Sequence, residues 1–240
     1  MTKLLLASAA MTAALISTPA FAGISDGWSG EAALTGSVTT GNTETTDIGL
    51  ALKLLKDDDV WRHKFKASVD YGETSGTADK ERFVLGYQID RDITDRLYGY
   101  ANADYFRDDF GAFQTGYFVG GGLGYKLVLP EPFKWDVEAG LGFRSQETQD
   151  PLSVTTEELA GRLASNMDYV FNENVTLYNY SELLYSSSDT YIWNETGITA
   201  QLTGNLAARA SFRVDTHSDV PDGTVKTDTI TRFGVVYTLK

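Results

Sequence analysis

Lys134-Trp135-Asp136-Val137-Glu138-Ala139-Gly140-Leu141-Gly142-Phe143-Arg144 alternates without a break. Trp135, Val137, Ala139, Leu141 and Phe143 share one face. Lys134, Asp136, Glu138, Gly140, Gly142 and Arg144 share the other. A period of two over eleven residues is the pattern of a β-strand with one apolar and one polar side. The strand is also longer than most strands of soluble proteins, which run to about 5–6 residues.

Working outward, similar runs recur at roughly 28–39, 44–56, 60–72, 80–91, 95–107, 114–128, 133–145, 156–170, 175–186, 192–203, 206–217 and 226–239. In the third, Trp61, Phe65, Ala67, Val69 and Tyr71 oppose Arg62, Lys64, Lys66, Ser68 and Asp70. In the last, Phe233, Val235, Tyr237 and Leu239 oppose Arg232, Gly234 and Thr238. The runs at 95–107 and 175–186 are the least regular, and neither of their faces reads as apolar. Between the runs, one set of links is tight: Asp57-Asp58-Asp59, Asp92-Ile93-Thr94, 129–132, 171–174 and Gly204-Asn205. With the N-terminus taken as the lower end, these are lower turns. The upper links are expected to be longer from the second onward, at 73–79, 108–113, 146–155, 187–191 and 218–225; only 40–43 is short.

An even number of long strands, with short turns at one end and longer loops at the other, predicts a closed, antiparallel, up-and-down transmembrane β-barrel of about twelve strands in the all-β class. Closure explains the lack of helical periodicity, because backbone groups in lipid must all pair and no edge can stay open. It also accounts for a mean hydropathy of only −0.22, since every second residue faces away from lipid. A soluble barrel would alternate as well. Aromatic residues at the ends of the apolar faces argue for the membrane: Trp28, Trp61, Trp135, Tyr87, Tyr125, Tyr169 and Tyr237 would form a lower girdle, and Tyr71, Phe83, Tyr117 and Phe143 an upper one.

The composition narrows the function. The chain has 240 residues, no cysteine and a net charge of −13 from 33 acidic and 20 basic side chains. Without cysteine there are no disulfides, thiolate metal sites or cysteine nucleophiles. The acidic balance speaks against nucleic acid as a partner. Met1-Thr2-Lys3, the apolar run from Leu4 to Ile16 and the Ala20-Phe21-Ala22 ending predict a secretory signal over residues 1–22, with the barrel domain over 23–240. The expected location is the outer membrane of a Gram-negative bacterium. Expected partners are outer-membrane lipid, lipopolysaccharide and the barrel assembly machinery, with the oligomeric state open.

Trp28-Ser29-Gly30-Glu31 leads into Gly36-Ser37-Val38-Thr39-Thr40-Gly41-Asn42-Thr43-Glu44-Thr45-Thr46, and Tyr105-Phe106-Arg107-Asp108-Asp109-Phe110 follows later. In these segments the chain resembles the YdiY-type family of salt-induced outer membrane proteins. The resemblance implies an outer-membrane barrel of undefined role, with a link to salt or osmotic response. It implies no catalytic residue.

Polar-face charges are the candidate lumen lining: Arg62, Lys64, Lys66, Arg82, Asp136, Glu138, Arg162, Arg209, Arg213, Asp215 and Arg232, with Asp70, Asp104, Asp168 and Asp228 facing them. Segregated charges would make a small ion-conducting pore, and paired charges a closed plug. The glycines of the sixth and seventh runs, Gly120, Gly122, Gly124, Gly140 and Gly142, favour a narrow open lumen. A hydrolase relay is the weaker alternative. Ser211, Asp215 and His217 share a face, with Tyr185, Ser186, Ser187, Ser188 and Asp189 nearby, but side chains two apart on one strand rarely reach relay geometry. His63 reads as an interfacial histidine. No metal-ligand spacing and no cofactor motif is found. The expectation is a passive narrow channel or structural envelope component; the rival classes are an outer-membrane hydrolase and a soluble periplasmic β-barrel binding protein.

Overall fold

The structure, a computed structural model, describes residues 27–39, 45–128, 131–149, 151 and 153–239. The expected signal segment and the first upper link at 40–43 lie outside the described residues. Twelve strands follow one another: β1 (Trp28–Thr39), β2 (Thr45–Asp58), β3 (Trp61–Thr74), β4 (Thr77–Asp92), β5 (Leu97–Asp108), β6 (Phe113–Val128), β7 (Phe133–Thr148), β8 (Thr155–Asn172), β9 (Val175–Ser186), β10 (Thr190–Thr203), β11 (Leu206–His217) and β12 (Thr227–Leu239). Each pairs antiparallel with its sequence neighbours, and β1 pairs with β12 from Gly30↔Leu239 to Thr35↔Gly234, so the barrel is closed. Closure removes the open edge where Gly30–Thr35 meets Gly234–Leu239.

The barrel is apolar outside and polar inside. Leu141, Phe143, Leu159 and Phe233 are each more than 60% exposed on the outer face, whereas Asp90, Glu138, Asp215 and Arg162 are buried within. Burial of apolar surface from water drives folding in a soluble protein and puts such residues inside. Here the two faces are exchanged, as lipid requires. Apolar clusters inside are small: Ala33, Ala207 and Val236 along the closure seam, and Phe118, Ala160 and Leu184 higher up.

Two expectations are corrected. The second upper link is a two-residue hairpin, because β3 runs on to Thr74 and β4 begins at Thr77. Ser75 and Gly76 both take positive φ, 52° and 78°, the twist that a tight hairpin between right-handed strands needs. The other described upper loops cover 109–112, 149–154, 187–189 and 218–226. The glycines of β6 and β7 do not open the lumen; they seat inward rings. A Cβ on Gly124 would lie 2.1 Å from the Tyr98 ring, and one on Gly142 would lie 2.6 Å from Phe118. Tyr98 stands directly opposite Gly124 in the register, so the missing side chain makes room for the ring.

The irregular strands now have defined faces. β5 turns Tyr98, Tyr100 and Asn102 inward and β9 turns Tyr178, Tyr180 and Glu182 inward, with Gly99, Ala101 and Ala103 or Asn179 and Ser181 in the middle of the outer face.

Candidate functional site

The site is the lumen, where alternation delivers one charged side chain for every two residues of strand. All eleven candidate charges lie on inward faces; ten of them pair with opposite charges, and Asp136 instead accepts from Tyr98 and Asn166. In the lower third, the buried carboxylate of Asp90 lies 2.8 Å from Lys64 Nζ and 3.4 Å from Arg62 Nε. Asp92 is shared by Arg62 and Lys126, each at 3.0 Å. The Tyr98 ring sits between these cations, with Arg62 5.0 Å and Lys126 6.0 Å from its centroid. Its hydroxyl donates to Glu138 at 2.9 Å and Asp136 at 3.1 Å.

The middle is organised by Arg162. Its guanidinium bridges Glu138 on β7 at 2.6 Å and Glu182 on β9 at 2.7 Å, and lies 5.1 Å from the Tyr100 centroid on β5. Gln88 of β4 donates to Glu138 at 2.8 Å. Lys66 pairs with Asp104 at 2.8 Å. A buried charge is costly unless it is both paired and hydrogen-bonded, and Arg162 and Glu138 are both. On the opposite wall, Arg209 makes a two-pronged bond to Glu31, 2.7 and 2.6 Å. Lys53 of β2 reaches the Tyr180 ring of β9 at 5.1 Å.

Higher up, Arg213 grips Asp215 through two bonds of 2.7 Å, and Tyr191 donates to the same carboxylate. Arg82 Nη2 approaches Asp215 Oδ1 at 3.7 Å. Arg82 is on β4 and Asp215 on β11, five strands apart around the ring, so this contact crosses the lumen. Arg232 of β12 binds Asp70 of β3 at 2.9 Å. A cavity of about 140 Å³ beside this pair is lined by Thr35, Gly49, Asp70, Lys80 and Arg232.

At the upper mouth the 187–189 loop is tied to the wall. Asp189, between β9 and β10, accepts from Arg144 Nη2 at 2.9 Å, lies 2.6 Å from His217 Nδ1 and accepts the Ser218 amide at 2.9 Å. His217 stacks on Tyr191 with centroids 4.7 Å apart and meets Phe113 of β6 at 5.1 Å. Burial by itself would disfavour the Asp189 charge. The His217 hydrogen bond and charge, the Asp219 amide and Arg144 outweigh that and hold its carboxyl well below the usual carboxylate range.

The Ser211, Asp215 and His217 grouping does not assemble as a relay. Asp215 is taken up by Arg213, Tyr191 and Arg82, and the carboxylate on His217 is Asp189. Tyr185 points outward, 63% exposed. Among the described residues no hydroxyl bonds to the imidazole, and no group of three or more His, Cys, Asp or Glu is placed to hold a metal ion.

Of the lower aromatic set, Trp61, Trp135, Tyr87, Tyr125, Tyr169 and Tyr237 are exposed on the outer face, and Trp28 is half-buried. His63 joins them, 2.7 Å from the Tyr87 hydroxyl through Nδ1. The sequence reading passed over Glu31, Glu182, Arg144 and the inward tyrosines as site residues. Tyrosine opposite glycine, as Tyr178↔Gly197, is the signal that could have found the rings.

The family model described as "Protein of unknown function, DUF481" matches residues 32–239. No curated protein matches the chain. Among solved structures, the NanC porin aligns over 88% of this chain and 100% of its own, with a TM-score of 0.54 at 12% identity. The COG4313 outer membrane channel from Pseudomonas putida F1 aligns over 88% of this chain and 93% of its own, with a TM-score of 0.50 at 9% identity. At such identities the likeness is one of fold: this chain has the architecture of an outer-membrane barrel.

Proposed function

This chain belongs to the DUF481 family, and we propose that it is an outer-membrane protein acting as a narrow, ion-scale channel whose upper half is set by charged side chains meeting across the lumen. One observation carries this reading: Arg82 and Asp215, on strands five apart in the ring, face each other at 3.7 Å. While it holds, this contact bridges the bore; conduction in this reading requires the pair to part, which leaves a cation and a carboxylate opposed across a constriction and a transverse field of the kind that sorts small ions. Export through residues 1–22 and contact with lipid and lipopolysaccharide belong to the same reading.

The YdiY-type resemblance adds a link to salt. Pairs that lumen water can reach weaken as ionic strength rises, with a Debye length of about 8 Å at physiological salt. Lys53–Glu31 and Lys66–Asp104, with half-exposed lysines, are pairs of this kind, and their loosening is a physical route from salt to conductance.

A second reading, a closed structural barrel of the envelope, is favoured by the buried Arg162–Glu138–Glu182 cluster. Planar-bilayer recording separates the two. The channel reading expects small conductance steps from the folded protein, and larger steps when Arg82→Ser and Asp215→Ser are combined. Silent bilayers from folded protein of both kinds would reject it in favour of the closed barrel.

A further inference from the structure

The outer wall is apolar along most strands, but not on β8–β10. β9 reads outward as Leu177, Asn179, Ser181, Leu183, and β10 as Ile192, Asn194, Thr196, Ile198. Polar side chains therefore sit in the middle of both strands, with apolar residues above and below. Asn194 stands opposite Ser181, and Thr196 opposite Asn179. Ser181 in turn stands opposite Ser165 of β8.

These side chains bond to one another. Asn179 Nδ2 donates to Thr196 Oγ1 at 2.7 Å and to Asn194 Oδ1 at 3.3 Å. Asn194 Nδ2 donates to Ser181 Oγ at 2.6 Å, and Ser181 Oγ donates to Asn179 Oδ1 at 3.3 Å. Ser165 accepts the Trp135 indole N–H at 3.0 Å. An amide has two N–H donors and an oxygen with two lone pairs. Among the described residues, the bonds leave one N–H of Asn194 and one lone pair of Asn179 without a protein partner. Hydrocarbon offers neither donors nor acceptors, so an amide facing it carries an uncompensated cost.

We propose that this wall is where two copies of the chain meet within the membrane. The occupant must reach the depth of the patch, between two apolar belts, which excludes lipid headgroups and soluble partners. It must also present donors and acceptors without net charge, because the patch has none. A second copy of the same wall meets both conditions: a two-fold axis sets the spare donor and acceptor of one patch against those of the other. Such self-complementarity is what an isologous interface requires.

The chain has no cysteine, so a single introduced thiol reports position without background. Ile198→Cys lies on β10 just below the patch. Val69→Cys lies on β3, five strands away around the ring, and serves as control. In outer-membrane preparations under mild thiol oxidation, Ile198→Cys should give a disulfide-linked dimer several-fold more abundant than Val69→Cys gives. In detergent, light scattering should find a two-copy particle for the natural chain and one copy for Asn179→Leu combined with Asn194→Leu. If that double variant does not fold, as judged by its heat-dependent gel shift, the cysteine comparison still decides. Equal linking at both positions, linking to a different protein, or a natural chain that stays single would overturn the proposal.

Discussion

The middle of the lumen and its upper mouth are each held by a buried arginine, yet they are built differently. Arg162 stands on a strand, and its partners Glu138 and Glu182 stand on the two strands paired with β8. The backbone ladder itself holds the three charges together. Arg144 also stands on a strand, but its partner Asp189 belongs to the 187–189 loop, and that loop is tied to His217 on β11. The middle can open only if strands separate, whereas the mouth can open by moving a short loop. Charge of similar burial thus supplies rigidity in one place and a removable cover in the other.

The largest test of this contrast is Arg162→Ala. It takes the nearest cation from two buried carboxylates, leaving Glu138 only Lys64 at 4.0 Å, and removing one partner of a buried pair costs about 3–5 kcal/mol. The urea midpoint of the barrel in detergent should fall accordingly. A loss under about 1 kcal/mol would mean that water already screens the cluster.

Asp189→Asn should act at the mouth alone. Its charge-assisted bonds are each worth about 1.5–3 kcal/mol; once they are lost the loop should detach and let Arg144 and His217 reach water, so the unfolding midpoint should fall by less than for Arg162→Ala. Faster protease cleavage within 187–189, without loss of the heat-dependent gel shift, is the expected result. A large fall in the midpoint would erase the distinction between loop and wall.

The smallest effect is that of pH. The Asp189 carboxyl is held below its unfolded value, so its contribution is complete above the ordinary aspartate pKa of about 3.9. It is lost as pH falls through the lower folded value. Loop protection against protease should therefore stay level from neutral pH to about pH 4 and drop in stronger acid. Release between neutrality and pH 5 would show that another group, with His217 nearest, governs the latch.

The barrel was legible because its signal is local. Eleven alternating residues from Lys134 to Arg144 name a strand and its two faces without reference to anything distant, and the other strong runs repeat the statement. Where outward residues are small and inward ones aromatic, as in Gly99, Ala101 and Ala103 against Tyr98 and Tyr100, alternation is present but hydropathy gives it no sign. That is why β5 and β9 could not be oriented. The upper hairpin at Ser75-Gly76 was missed for a related reason: Thr74 and Thr77 favour strands, but Gly72, Glu73, Ala78 and Asp79 around them show no apolar face, and the ends are held by the pairing of Thr74 with Thr77.

Residue order by itself therefore determined that about twelve strands run up and down and which charges share a polar face, since both follow from a period of two. It could not decide whether those charges stand apart or together. Arg82 with Asp215, Lys53 with Tyr180 and Phe113 with His217 each join strands five apart in the ring, and such a distance exists only once β1 has closed on β12. Closure turns rows of like-facing side chains into opposed partners a few ångströms apart, where electrostatics and ring size decide what fills the lumen.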